Sequence, residues 1–232
     1  MPVQTIGSLR VTTLGRGDGP AVLLCHGFGA AGDDLVPLAR EVDAGPGVRW
    51  FFPEAPLELA WGGRAWWEID MMRIQELALR GQRHFLTAET PPGLAPARAA
   101  LEATIAELEA SHGVRREALV IGGFSQGAMI TTEIALHAER PFAGLVVLSG
   151  ALISEGRWAA AAEKTGRSLH ALMTHGRADP LLPFEAAEAL RDLLVRAGAD
   201  VDFLPHGGQH EIPPPALGRL GTFAKKRLGT GS

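Results

Sequence analysis

The chain has 232 residues, 46% of them hydrophobic, and a formal net charge of −4. That apolar content supports a sizeable core and excludes a disordered chain. The longest basic run is "KKR" at 225–227, which argues against a nucleic-acid surface built on clustered Lys and Arg. The single cysteine, Cys25, excludes an intramolecular disulfide and a cysteine-built metal cage. It closes the apolar run "AVLLC" and reads as a buried strand residue rather than a reactive thiol.

The N-terminus "MPVQTIGSLR" has no basic segment followed by an apolar one, so it is not a signal peptide. No segment approaches the ~20 apolar residues of a membrane span. The expectation is a cytoplasmic chain forming a single domain over 1–232, without a membrane span and without nucleic acid as a partner.

In chain order, "TIGSLRVTTLG" alternates apolar and polar residues and reads as an antiparallel edge hairpin. Six continuous apolar runs follow: "AVLLC" (21–25), "VRWFF" (48–52), "ALVIGG" (118–123), "AGLVVLSG" (143–150), "LHALMTHG" (169–176) and "DVDFLP" (200–205). Each is short and bounded by Gly or Pro, as strands buried on both faces of a parallel sheet are. Amphipathic stretches at 33–43, 95–111, 126–139, 155–165, 184–197 and 216–228 read as helices. Such alternation predicts a mostly parallel, doubly wound α/β sheet flanked by helices.

Residues 53–94 break the rhythm. They carry Trp61, Trp66 and Trp67 between two proline-rich punctuations, and long excursions of this kind are commonly lids or binding loops. Packing of those tryptophans onto the core is the alternative.

"GFSQG" at 123–127 fits G-x-S-x-G, a nucleophile elbow between the strand "ALVIGG" and a helix. A strand turning sharply into a helix holds Ser125 out of the turn, and Gly123 and Gly127 leave room for it. The serine also sits at a helix N-terminus, where developing negative charge is favoured. A nucleophilic serine needs a base, and the base needs an orienting carboxylate. "HGRADPLLP" supplies Asp179 just past one strand, and "PHGGQHEIP" supplies His206 and His210 past the next. Asp179 is preferred to Asp200 and Asp202, which flank or enter a strand, and His210 to His206, which abuts a strand end. All three chosen residues then leave carboxyl ends of strands, where open α/β sheets place their sites.

These motifs, with "LLCHGFGAAGDDL", "FFPEAP" and "GGRAWWEID", appear in the order and spacing of the phospholipase/carboxylesterase family of small α/β hydrolases. That family includes bacterial carboxylesterases and acyl-protein thioesterases, and the chain resembles it over most of its length. The resemblance implies an α/β-hydrolase fold with a lid-like excursion at about 53–94. It implies attack by Ser125, proton transfer by His210, orientation by Asp179, and an oxyanion hole built from the backbone N–H groups of Phe28 and Gln126. His26 is expected to brace the loop rather than carry protons. The chain departs from the family pattern at Ala31, Glu54, Trp67 and Glu68, three of which lie in the excursion.

Phe28, Trp66 and Trp67, with Met71 and Met72 nearby, are the candidate acyl-binding residues, since ligand sites are largely apolar. The first reading is a carboxylesterase for short to medium acyl esters, with a small-molecule ester as its partner. A thioesterase or lysophospholipase using the same triad is the near alternative. A non-catalytic ligand-binding α/β hydrolase is the alternative of another class. No cofactor or metal is expected. Oligomeric state, a homodimer included, is left open.

Overall fold

A computed structural model describes residues 2–70, 72–73, 76, 79–80 and 87–231. An eight-stranded sheet in the order β1-β2-β4-β3-β7-β8-β9-β10 organises it. The strands are β1 (Val3–Ile6), β2 (Leu9–Leu14), β3 (Ala21–Cys25), β4 (Arg49–Pro53), β7 (Leu119–Phe124), β8 (Gly144–Leu148), β9 (His170–Gly176) and β10 (Asp200–His206). From β4 through β10 all pairings are parallel, and β2 joins β4 antiparallel. β1 and β2 form the expected hairpin, with Ile6 opposite Leu9. Its two-residue turn uses Gly7 at φ 59°, the positive φ that such hairpin turns demand.

The central strands are apolar on both faces because helices cover both. In β3, Ala21, Leu23 and Cys25 point to one core, and Val22 and Leu24 to the other. β7 and β8 alternate in the same way. The first core takes α2 (Leu94–Ser111), α3 (Gln126–Leu136), α4 (Glu155–Thr165) and α5 (Phe184–Arg196). The second takes the short α1 (Leu38–Glu41) and α6 (Pro214–Leu228). β10 lies at the edge and is only half-buried, so its "DVD" carboxylates can reach water.

Two local expectations are revised, and a small element appears in the excursion. Only residues 38–41 of the stretch 33–43 are helical, because Asp33–Pro37 folds as turns before Pro37 admits the helix. The helix expected to reach 139 ends at Leu136, where the His137 ring donates to the Glu133 carbonyl at 2.9 Å. Inside the excursion, a small hairpin pairs β5 (Leu57–Glu58) with β6 (Arg64–Ala65). Its turn uses Gly62 and Gly63 at φ 87° and 79°.

α3 is buried along its whole length, so its one carboxylate needs partners. The Glu133 side chain is fully buried; it accepts from Trp158 Nε1 at 2.7 Å and Arg98 Nη1 at 3.2 Å, and pairs with Arg157. One group thus ties α2, α3 and α4 behind the elbow. Removing one partner of a fully buried pair costs about 3–5 kcal/mol, and both arginines here partly reach water. Glu133→Ala is therefore expected to lower unfolding free energy by about 2–3 kcal/mol in urea titration. An unchanged midpoint would remove Glu133 from the stabilising set.

Candidate active site

β7 runs straight into α3 through Ser125, whose backbone sits at φ 55° and ψ −118°. A non-glycine residue there is strained, by of order 1–3 kcal/mol, and its neighbours explain why it stays. Ser125 N–H donates to the Leu148 carbonyl at 2.8 Å, locking the turn to β8. A methyl group on Gly127 would lie 2.5 Å from the His26 carbonyl oxygen, and nearer still to that of Cys25. One on Gly123 would lie 2.5 Å from the Gly127 carbonyl carbon. Only glycine lets β3, β7 and α3 approach this closely.

The loop after β3 lies against the serine. A Cβ on Gly27 would stand 3.4 Å from Ser125 Cβ. His26 braces this loop: its Nδ1–H donates to Gly27 O at 2.8 Å, and its Nε2 accepts the Ala55 N–H at 2.9 Å. Those partners assign the tautomer. The β5–β6 hairpin is zipped onto the same loop by Gly29 N–H to Arg64 O and Arg64 N–H to Ala30 O, both 2.8 Å. Glu54, a departure from the family pattern, is absorbed here by an ion pair with Arg64 at 3.2 Å.

The structure brings Asp179 and His210 together, with Nδ1 of the histidine 2.6 Å from Asp179 Oδ2. Leu181 and Leu182 N–H groups donate to the other carboxylate oxygen at 2.8 and 2.9 Å. Burial alone would raise the Asp179 pKa. The N–H groups of His175, His210 and Leu182 outweigh it and hold the carboxyl well below its ordinary range. The His210 ring is tilted against that of Phe124, the residue before Ser125, with centroids 4.8 Å apart. His206 is held within its own loop, its Nδ1 accepting the Gly208 N–H at 3.2 Å. The other carboxylates are engaged elsewhere: Asp200 with His170 and Asp202 with Arg219, both at 3.1 Å.

Phe28 is half-buried in the loop. Neither its N–H nor that of Gln126 donates to a carbonyl among the described residues. The Gln126 side chain clamps the excursion, accepting from Trp66 N–H at 2.9 Å and donating to Trp67 O at 2.8 Å.

The tryptophans require a correction. Trp66 and Trp67, expected at an acyl-pocket wall, are core residues, 1% and 3% exposed. The Trp66 indole N–H is consumed by the His26 carbonyl at 3.0 Å, so this ring supports the loop from behind. Trp61 carries the exposed aromatic surface instead: it is 73% exposed and tilted 6.3 Å from the Phe28 ring. Met72 is exposed, and Met71 lies outside the described residues. Two further residues at the sheet's carboxyl edge escaped the sequence. Ser149, buried at φ 49°, donates from Oγ to the Glu211 carbonyl at 3.1 Å, beside His210. His175 lies against Asp179. Their only signal was position, at strand ends neighbouring the elbow. Among the described residues no cluster of His, Cys, Asp and Glu could hold a metal ion, and no helix is long and apolar enough to cross a membrane.

Strand order, elbow and the loops at the carboxyl edge define an α/β-hydrolase fold. A profile of the phospholipase/carboxylesterase family matches residues 9–228. Among curated proteins, acyl-protein thioesterase 1 of Neurospora crassa is 28% identical over 218 residues, covering 89% of this chain and 86% of that protein. A probable carboxylesterase of Oryza sativa subsp. japonica is 28% identical over 211 residues, covering 89% and 77%. Of solved structures, esterase PE8 superposes with a TM-score of 0.78 at 24% identity, covering 95% of this chain and 99% of that one. A carboxylesterase from Mesorhizobium loti gives 0.74 at 20% identity, covering 96% and 97%. At these identities the two structures speak for the fold alone. The chain belongs to the phospholipase/carboxylesterase family and is a hydrolase.

Burial also lowers the His26 pKa below its ordinary 6.5. Between the two values the unfolded chain binds the extra proton, so stability falls as pH falls through that window. His26→Gln is expected to flatten the loss of unfolding free energy below about pH 6.5, read by urea titration at several pH values. Equal slopes in both proteins would remove His26 as an acid-sensitive group.

Proposed function

We propose that this protein is a serine esterase acting through an acyl-enzyme on Ser125. The observation that carries the reading is the strained serine at a helix N-terminus, on the same sheet edge as the His210–Asp179 pair. Strain kept at the G-x-S-x-G elbow, on the same sheet edge as a histidine–aspartate pair, favours catalysis over ligand binding.

In the proposed reaction Ser125 Oγ attacks the acyl carbonyl while His210 Nε2 takes its proton. His210 Nδ1–H stays on Asp179, whose negative charge stabilises the imidazolium. The tetrahedral oxyanion is met by the Phe28 and Gln126 N–H groups, and the second also lies at the positive end of α3. Collapse expels the alcohol, which takes the proton back from His210. Water then repeats the sequence through the same base, releasing the acid and restoring Ser125.

Short to medium acyl esters are the proposed substrates. Phe28 and Trp61 form the apolar surface beside the oxyanion loop, and Trp66 holds that loop from below through the His26 carbonyl. A thioester is a second reading, supported by the acyl-protein thioesterases among the relatives, because the same attack expels a thiol. No membrane-spanning partner element enters either reading. Localisation in the cytoplasm and assembly as a homodimer are compatible with both.

A panel of p-nitrophenyl esters and acyl thioesters tests the reading on purified protein. Ser125→Ala is expected to lower kcat by about 10⁴- to 10⁶-fold with an unchanged melting curve. His210→Ala should be far more damaging than His206→Ala. Full turnover by Ser125→Ala would refute the nucleophile, and the reverse histidine order would move the base to 206. In the same panel, Trp61→Ala should shift acyl-length preference at unchanged Tm. Trp66→Ala should instead cost about 3–5 kcal/mol of stability.

A further inference from the structure

The triad carboxylate has a second imidazole on it. His175, at the end of β9, is fully buried, as is the Asp179 side chain. Its Nε2 lies 2.9 Å from the Leu182 carbonyl oxygen and 3.3 Å from Asp179 Oδ2, the oxygen that also receives His210. Both neighbours of Nε2 are acceptors, so Nε2 carries the proton. Nδ1 is buried and has no hydrogen-bond partner among the described residues. A proton there would be a buried donor left unsatisfied, which costs more than a bare acceptor carrying no charge.

The contacts close a circuit. Leu182 donates its N–H to Asp179 Oδ1 and accepts the His175 N–H on its carbonyl. The same Nε2, hydrogen-bonded to that carbonyl, stands 3.3 Å from Asp179 Oδ2. Both carboxylate oxygens are thus engaged: Oδ1 accepts from the Leu181 and Leu182 amides, and Oδ2 faces His210 at 2.6 Å with His175 Nε2 beside it at 3.3 Å. The ring itself is held by packing against Phe184, at 6.1 Å between centroids. Nothing in the proton path needs His175; its effect reaches the reaction only through Asp179.

We propose that His175 is a positioning residue for the triad: its Nε2–H, shared between Leu182 O and Asp179 Oδ2, fixes the carboxylate rotamer on which the His210 tautomer depends. This rests on the triad reading above for its effect on rate, whereas the geometry it asserts does not. A loose carboxylate would leave His210 free to turn its proton-bearing nitrogen away from Asp179, and the fraction of enzyme ready to take the serine proton would drop.

Three substitutions separate this grip from simple filling of space. Gln places an amide N–H near the Nε2 position, Asn places one near Nδ1, and Phe keeps the ring without a donor. His175→Phe and His175→Asn are expected to lower kcat for a small neutral ester by about 10- to 100-fold, the scale of one hydrogen bond to a charged group. KM should stay within about twofold, because no substrate contact is touched. His175→Gln should recover most of the lost rate. In proton NMR, the low-field resonance of the His210 Nδ1–H on Asp179 should persist in wild type and His175→Gln, and weaken or move upfield in the other two. Equal losses in all three variants that follow Tm, or a wild-type rate and resonance in His175→Phe, would overturn the proposal. Nitrogen-15 shifts of the unmodified protein decide it even if a variant fails to fold. A proton on His175 Nε2 supports it, and a proton on Nδ1 overturns it. Should Ser125→Ala remain active, the triad reading fails while the nitrogen shifts still judge the grip.

Discussion

Three backbone segments meet at the elbow with no side chain between them, and the rest of the site depends on that approach. Because the Cys25 and His26 carbonyls occupy the space where side chains of residues 123 and 127 would lie, β7 can turn into α3 within a single residue. That residue must take a left-handed φ, and it is a serine. Ala or Ser at 127 would push β3 from α3, and with it the His26–Gly29 loop that lies against Ser125. The same closeness brings the loop after β3, which carries Phe28, up to the elbow that Gln126 follows.

Holding such a site rigid costs conformational strain, which is distributed and offset locally. Ser125 and Ser149 both have positive φ, and each is fixed by hydrogen bonds between strand ends: Ser125 N–H to Leu148 O, Ser149 N–H to Thr174 O. Ser149 Oγ then reaches the Glu211 carbonyl. Arg177 N–H to His206 O and Ala178 N–H to Gly208 O tie the loop of Asp179 to the loop of His210. Asp179 and His210 therefore come from adjacent, mutually fastened loops. Their 2.6 Å contact is preorganised by backbone rather than by two flexible side chains finding each other. Behind the elbow, Glu133 links three helices through a buried charge, so the helix bearing Gln126 has little freedom to tilt.

Where backbone chemistry and spacing decide the outcome, the sequence was readable. Continuous apolar runs located the parallel strands, and G-x-S-x-G between a strand and a helix located the elbow. Order along the chain then put Asp179 and His210 at neighbouring strand ends. The tryptophans were not readable, because an apolar ring in an excursion packs inward or faces a ligand with the same local pattern. Gln126 decided it: its amide clamps Trp66 and Trp67 from across some sixty residues of chain, a contact no local spacing encodes. Trp61 was freed by the opposite circumstance, sitting at a two-glycine turn that projects it outward. His175 and Ser149 stayed hidden because each acts through one long-range contact with a loop.

A serine nucleophile at the elbow requires that Ser125 become acylated during turnover. Mass spectrometry of protein quenched in acid while hydrolysing a slow p-nitrophenyl ester tests it most directly. One acyl group per chain is expected, carried by the peptide that contains Ser125 and absent from Ser125→Ala. An acyl group on another residue, or rapid turnover with no covalent adduct at any quench time, would contradict it.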